Sequence, residues 1–123
     1  MTQDIPWVEW LKKLGACRSY ADNADDSVSS RTAWELCTEP HRVAWFAARL
    51  GYVRTVEQIT APVTAWLSPQ PVAGLDYFKA AEVLAVAVAR SYGKPGYWEI
   101  TEKIKQAVSY EDLHTAMRKL CDE

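Results

Sequence analysis

Cys37 and His41 stand four residues apart, the spacing at which one helix face would set a thiol beside an imidazole base. That pairing could generate a nucleophilic thiolate or contribute two ligands to a transition metal. Pro40 falls between them and breaks the helix that would align them. No orienting group or oxyanion hole stands at a recognisable distance along the chain. His114, the other of the two histidines, has no second ligand three or four residues away. Both histidines are therefore expected on the solvated surface. Cys17, Cys37 and Cys121 are widely spaced and form no Cys-x-x-Cys set. They are expected as small apolar fillers in or near a core, one intramolecular bridge or a reactive thiol being the alternative. Glu35 with Glu39, and Glu99 with Lys103, share helix faces at i, i+4, as charges on solvated faces routinely do. Gly93 and Gly96 flank a proline turn rather than forming a phosphate cradle. The expectation is a protein with no catalytic residue, no metal and no cofactor, and so not an enzyme.

The elements that would position any site are helical. Of the 123 residues, 49% are hydrophobic and 24% charged, the profile of an ordinary globular domain that buries roughly two-thirds of its unfolded surface. A net charge of −2 argues against general affinity for nucleic acid, which depends on clustered Lys and Arg. The most apolar stretch, Ala80 to Ala89, is too short to span a bilayer, and charges punctuate the first helical pattern where a signal segment would stand. A cytoplasmic protein without membrane contact is expected.

Helical periodicity recurs along the chain and strand alternation hardly occurs. Ile5, Trp7, Trp10, Leu11 and Leu14 form a first stripe that ends at Gly15. Residues 22–28 are polar and acidic, favouring an exposed loop. Ser29 or Ser30 offers an N-cap to a helix carrying Ala33, Trp34 and Cys37. Pro40 suits the start of the next, which carries Val43, Ala44, Ala47 and Leu50 and stops at Gly51. From Thr55, Val56, Ile59, Val63, Trp66 and Leu67 share a side, with a kink or a split expected at Pro62. A Pro-rich connection over 68–74 leads to a strongly apolar helix from about Leu75 to Ser91, expected to be central. After the Gly93-to-Gly96 turn come two further helices, the last beginning at Ser109. The expected architecture is all-α: a compact single-domain bundle, residues 1–123, of six to eight short helices at varied angles.

Six tryptophans exceed the usual needs of one small core and raise the question of a partner surface, where Trp is enriched. Trp34, Trp45 and Trp66 lie on apolar stripes and are expected inside. Trp7, Trp10 and Trp98 sit nearer helix ends beside polar residues, where core packing and an exposed binding role both stay open. Asp22, Asp25 and Asp26 bunch in the polar loop, and Arg42, Arg49 and Arg54 fall in one stretch. Either cluster could steer a partner of opposite sign.

Leu14-Gly15-Ala16-Cys17, a polar gap, Ala33-Trp34-x-x-Cys37, a break, Trp45, and Ala47-Ala48-Arg49-Leu50-Gly51 together resemble a family of small helical bacterial immunity proteins. The resemblance extends to the alanine-rich segment from Ala80 to Arg90 and covers about two-thirds of the chain. His41-Arg42-Val43-Ala44 before Trp45, and the Pro-rich stretch between 62 and 71, depart from that pattern. The resemblance implies a protein that binds a bacterial toxin and neutralises it by steric occlusion. The alternative is a phage or mobile-element inhibitor of a host-defence complex, anti-CRISPR-like, acting by protein binding on a related scaffold. In both readings the partner is a protein, in a bacterial cytoplasm, and the chain is a monomer or a homodimer.

Overall fold

The computed structural model describes residues 7–15, 29–67 and 71–122, and seven α-helices lie within them. They are α1 (Trp7–Leu14), α2 (Ser30–Leu36), α3 (Pro40–Arg49), α4 (Val53–Thr64), α5 (Tyr77–Arg90), α6 (Glu99–Ala107) and α7 (Tyr110–Asp122), with a 3-10 turn over Ala65–Leu67. No β-strand is present among the described residues, and the protein is all-α. The expected loop at 22–28, with Asp22, Asp25 and Asp26, lies outside the described residues, as do residues 68–70 of the Pro-rich connection.

Local chemistry sets the helix ends. The Ser29 hydroxyl accepts from Thr32 N (3.2 Å) to start α2, and Asp76 Oδ1 accepts from Lys79 N (2.8 Å) to start α5. Ser109 and Asp112 form a reciprocal capping box at the head of α7, with Asp112 N donating to Ser109 Oγ and Ser109 N to Asp112 Oδ2. Pro40 occupies the first turn of α3, where its missing N–H costs nothing. Two cations close C-termini across the bundle. Arg49 Nε donates to Leu14 O (2.8 Å) at the end of α1, and Lys105 Nζ to Glu35 O and Cys37 O (3.1 and 2.7 Å) at the end of α2.

α3 and α5 form the most extensively packed pair. Their facing residues, Val43, Ala44, Ala47 and Ala48 against Ala80, Ala81, Leu84 and Val88, are small or branched and buried, which lets the two axes approach closely. α5 is less central than its composition suggests, since Val86 and Phe78 are each nearly half exposed. The Phe78 ring lies across the end of α1, where Gly15 adopts φ +80 and an added Cβ would come 2.9 Å from Phe78 Cε2.

Trp7 and Trp10, for which core and exposed binding roles were both open, are core residues and so not surface contacts, only 8% and 0% accessible. Positions 7, 10, 11 and 14 share one helix face, so the polar residues adjacent in sequence point the other way. Trp66, expected inside, is 52% exposed. α4 runs through Pro62 to Thr64 without splitting and then tightens into the 3-10 turn. The buried positions of α4 are Val56, Thr60, Val63 and Thr64, and at about 100° per residue position 66 falls roughly 100° from the centre of that face, at its margin.

Trp10 stacks on Tyr110 (centroids 5.9 Å, planes 8° apart), and the Tyr110 hydroxyl shares a buried 2.6 Å hydrogen bond with Ser30 Oγ. α1, α2 and α7 thus meet at one polar contact inside the core. Tyr110→Phe is expected to destabilise the fold by about 1–3 kcal/mol, because the fully buried Ser30 hydroxyl loses that bond. Adding Ser30→Ala should recover part of the loss. Urea denaturation of the single and double variants measures both effects.

Candidate partner-binding surface

Cys37 caps the end of α2, and His41 stands in the first turn of α3. Burial is the main influence on both groups, pushing the Cys37 thiol up and the His41 imidazole down, so each is driven toward its neutral form. His41 is half-buried rather than fully solvated, and its Nε2 lies 3.5 Å from Glu39 Oε2, which partly offsets the effect of burial. With its folded pKa below the unfolded value, His41 binds protons less readily in the folded state. Its contribution therefore makes stability fall as pH drops from about 6.5 through the lowered folded value. His41→Gln should flatten the slope of unfolding free energy between about pH 6.5 and 5. Urea denaturation across that range tests this.

The three arginines have different surroundings. Arg42, near the start of α3, meets Glu39 at 3.3 Å. Arg49, at the other end of α3, is committed to Leu14 O and lies over the Phe78 ring (5.6 Å). Arg54 is exposed in the first turn of α4. His114 packs at 5.7 Å from Tyr110 and its Nε2 is buried, so it too is more enclosed than expected. Among the described residues no group of three His, Cys, Asp or Glu side chains is placed to hold a metal ion, and no helix is long and apolar enough to cross a membrane.

What the structure does assemble is an aromatic face where the end of α5 and the start of α6 meet the 3-10 turn after α4. Residues 91–98 are folded on themselves by short-range bonds, Lys94 N to Ser91 O and Tyr97 N to Lys94 O (each 3.0 Å). Gly93 and Gly96, at φ +82 and +86, permit the reversal. Gly96 also sits against α4, for an added Cβ would meet Val63 Cγ2 at 3.1 Å. Ser91, fully buried, anchors the arrangement: its hydroxyl donates to Ala87 O (3.0 Å) and accepts from Trp66 Nε1 (3.3 Å). Lys94 Nζ lies 4.4 Å above the centre of the Trp66 ring.

Tyr97 is buried and supports the outer rings edge-to-face, with centroids 4.9 Å from Trp98 and 5.4 Å from Tyr92; Tyr92 and Trp98 are themselves 5.9 Å apart. Trp98 and Tyr92 are left 59% and 69% exposed. Burial raises the Tyr97 phenol pKa, and the Glu39 carboxylate raises it further. Trp98 was legible as a candidate in the sequence. Tyr92 and Trp66 were not, although aromatic residues on both sides of a Gly-Lys-Pro-Gly turn are a signal that such a turn displays rings.

A second concavity, of about 500 Å³, lies between α7 and the corner that joins α3 to α4.

The fold and its surface define an all-α protein that presents an aromatic face. No family model, no curated protein and no solved structure matches the chain.

Proposed function

We propose that this chain is a non-enzymatic binding protein that neutralises a bacterial toxin by covering its functional surface, with Trp66, Tyr92 and Trp98 as the central contacts. The observation that carries the reading is the exposure of three large rings already fixed by Ser91, Lys94 and Tyr97. Trp and Tyr dominate binding hot spots because they bury much area at little conformational cost, and fixing them beforehand lowers that cost further. The toxin as partner is what the resemblance to immunity proteins implies. Lys94, over the Trp66 ring, would favour a partner whose contacting surface carries carboxylates.

The test is affinity capture of the tagged chain from its native host, alongside a Trp98→Ala/Tyr92→Ala variant, followed by titration of the captured partner's activity. Recovery of a toxin with wild type only, and full inhibition at one equivalent, is the expected result. Equal recovery with the variant would remove the aromatic face from the reading. Recovery of a host-defence subunit in place of a toxin would keep the binding mode and replace the partner.

A further inference from the structure

Resting on the reading of the aromatic face as a binding surface, we propose that the free protein covers this face with a second copy of itself, in a weak two-fold dimer set in register by Arg90 against Glu99. The groups around the face run in a self-complementary order. Arg90 ends α5 two residues before Tyr92, Tyr92 and Trp98 meet with centroids 5.9 Å apart, and Glu99 opens α6 directly after Trp98. A cation thus flanks one ring and an anion the other. Two-fold pairing demands that when one residue meets another across the interface, the second meets the first in return. An axis between Tyr92 and Trp98 meets that demand: the Tyr92 of each copy faces the Trp98 of the other, and two Arg90–Glu99 pairs close the margins.

The charges are available for this. Arg90 and Glu99 are exposed, and neither has an ion-pair partner among the described residues. Lys94 is held over the Trp66 ring of its own copy, and the Glu102 carboxylate accepts from Gln106 Nε2, so neither competes for the pairing. A net charge of −2 per copy adds little long-range repulsion. Area decides the strength. With about 150–250 Å² to a whole aromatic side chain, three rings that are half exposed or more offer roughly 300–450 Å². Pairing two such faces buries less than the about 1,200 Å² at which stable interfaces begin, which sets a dimer in ready exchange with monomer. The rings are thereby kept from indiscriminate contact, and a partner with a full-sized interface displaces the second copy.

Sedimentation equilibrium of the intact protein between about 10 μM and about 1 mM should show monomer and dimer in exchange, and the Trp98→Ala/Tyr92→Ala variant should stay monomeric throughout. Arg90→Glu alone and Glu99→Arg alone should each weaken self-association by about tenfold, because the two-fold sets like charges together twice. Mixing these two single variants in equal amounts should restore it, since the mixed dimer carries two pairs of opposite charge. Restoration also shows that both variants are folded. A wild type that stays monomeric, a dimer indifferent to either reversal, or a mixture that associates no better than its components would overturn the proposal. A monomeric wild type whose partner capture is nonetheless lost with Trp98→Ala/Tyr92→Ala would overturn self-association alone and leave the toxin reading standing, whereas a charge-registered dimer whose partner capture ignores that variant would do the reverse.

Discussion

Replacing Trp98 and Tyr92 together by alanine is expected to weaken partner binding by about a hundredfold or more while leaving the protein folded. Truncating a central Trp or Tyr at an interface commonly costs 2 kcal/mol or more, about thirtyfold, and two neighbouring rings fall short of additivity because they support each other. Tyr92 and Trp98 are in ring contact, so the estimate is set below the product of two full effects. Stability should drop by only about 1 kcal/mol, the scale of the lost edge-to-face contacts with Tyr97, because most of both rings already faces solvent. Calorimetric titration against the captured partner, paired with urea denaturation, separates the two quantities. Unchanged affinity in a folded double variant would mean that the partner binds elsewhere.

Trp10→Ala should have the opposite profile, removing about 3–5 kcal/mol of stability. Trp10 is fully buried, stacks on Tyr110 and touches Trp7 at 6.5 Å between centroids, so its loss opens a cavity where α1 and α7 meet. Against a total of about 5–15 kcal/mol for a domain of this size, that is a large fraction of the whole. Trp10→Phe should cost clearly less. It keeps a ring in the stack, and it removes an indole N–H that finds no hydrogen-bond partner among the described residues. Equilibrium unfolding of both variants gives the comparison, and a Phe variant as unstable as the Ala variant would show that the full indole volume, rather than a ring in the stack, holds the junction.

The helices were legible because their apolar residues recur at helical spacing and their ends carry recognisable chemistry: Ser29 before α2, Pro40 at the head of α3, Gly51 after it, Ser109 before α7. The surface was less legible, for reasons visible at individual tryptophans. Trp10 has the charged Glu9 beside it in sequence, but a rotation of about 100° per residue sets Glu9 on another face of α1. Trp66 shares a side with Ile59 and Val63 but lies at the margin of the buried face of α4, and its final place is settled by the 91–98 turn, where Gly96 meets Val63 and Ser91 holds the indole.

The turn between Ser91 and Trp98 is closed by its own backbone bonds, and the rings it displays touch the bundle chiefly through Ser91, Tyr97 and Gly96. Under the proposed binding role, selection for folding and selection for recognition therefore act on different residues. Positions 92, 94 and 98 can drift or be exchanged without disturbing Val43, Leu84 or Ile104 in the core. A lineage confronted by a changing adversary can diversify what it recognises at those few outward positions while inheriting the scaffold intact, and the same separation makes residues 92–98 a natural place to graft a new specificity by design.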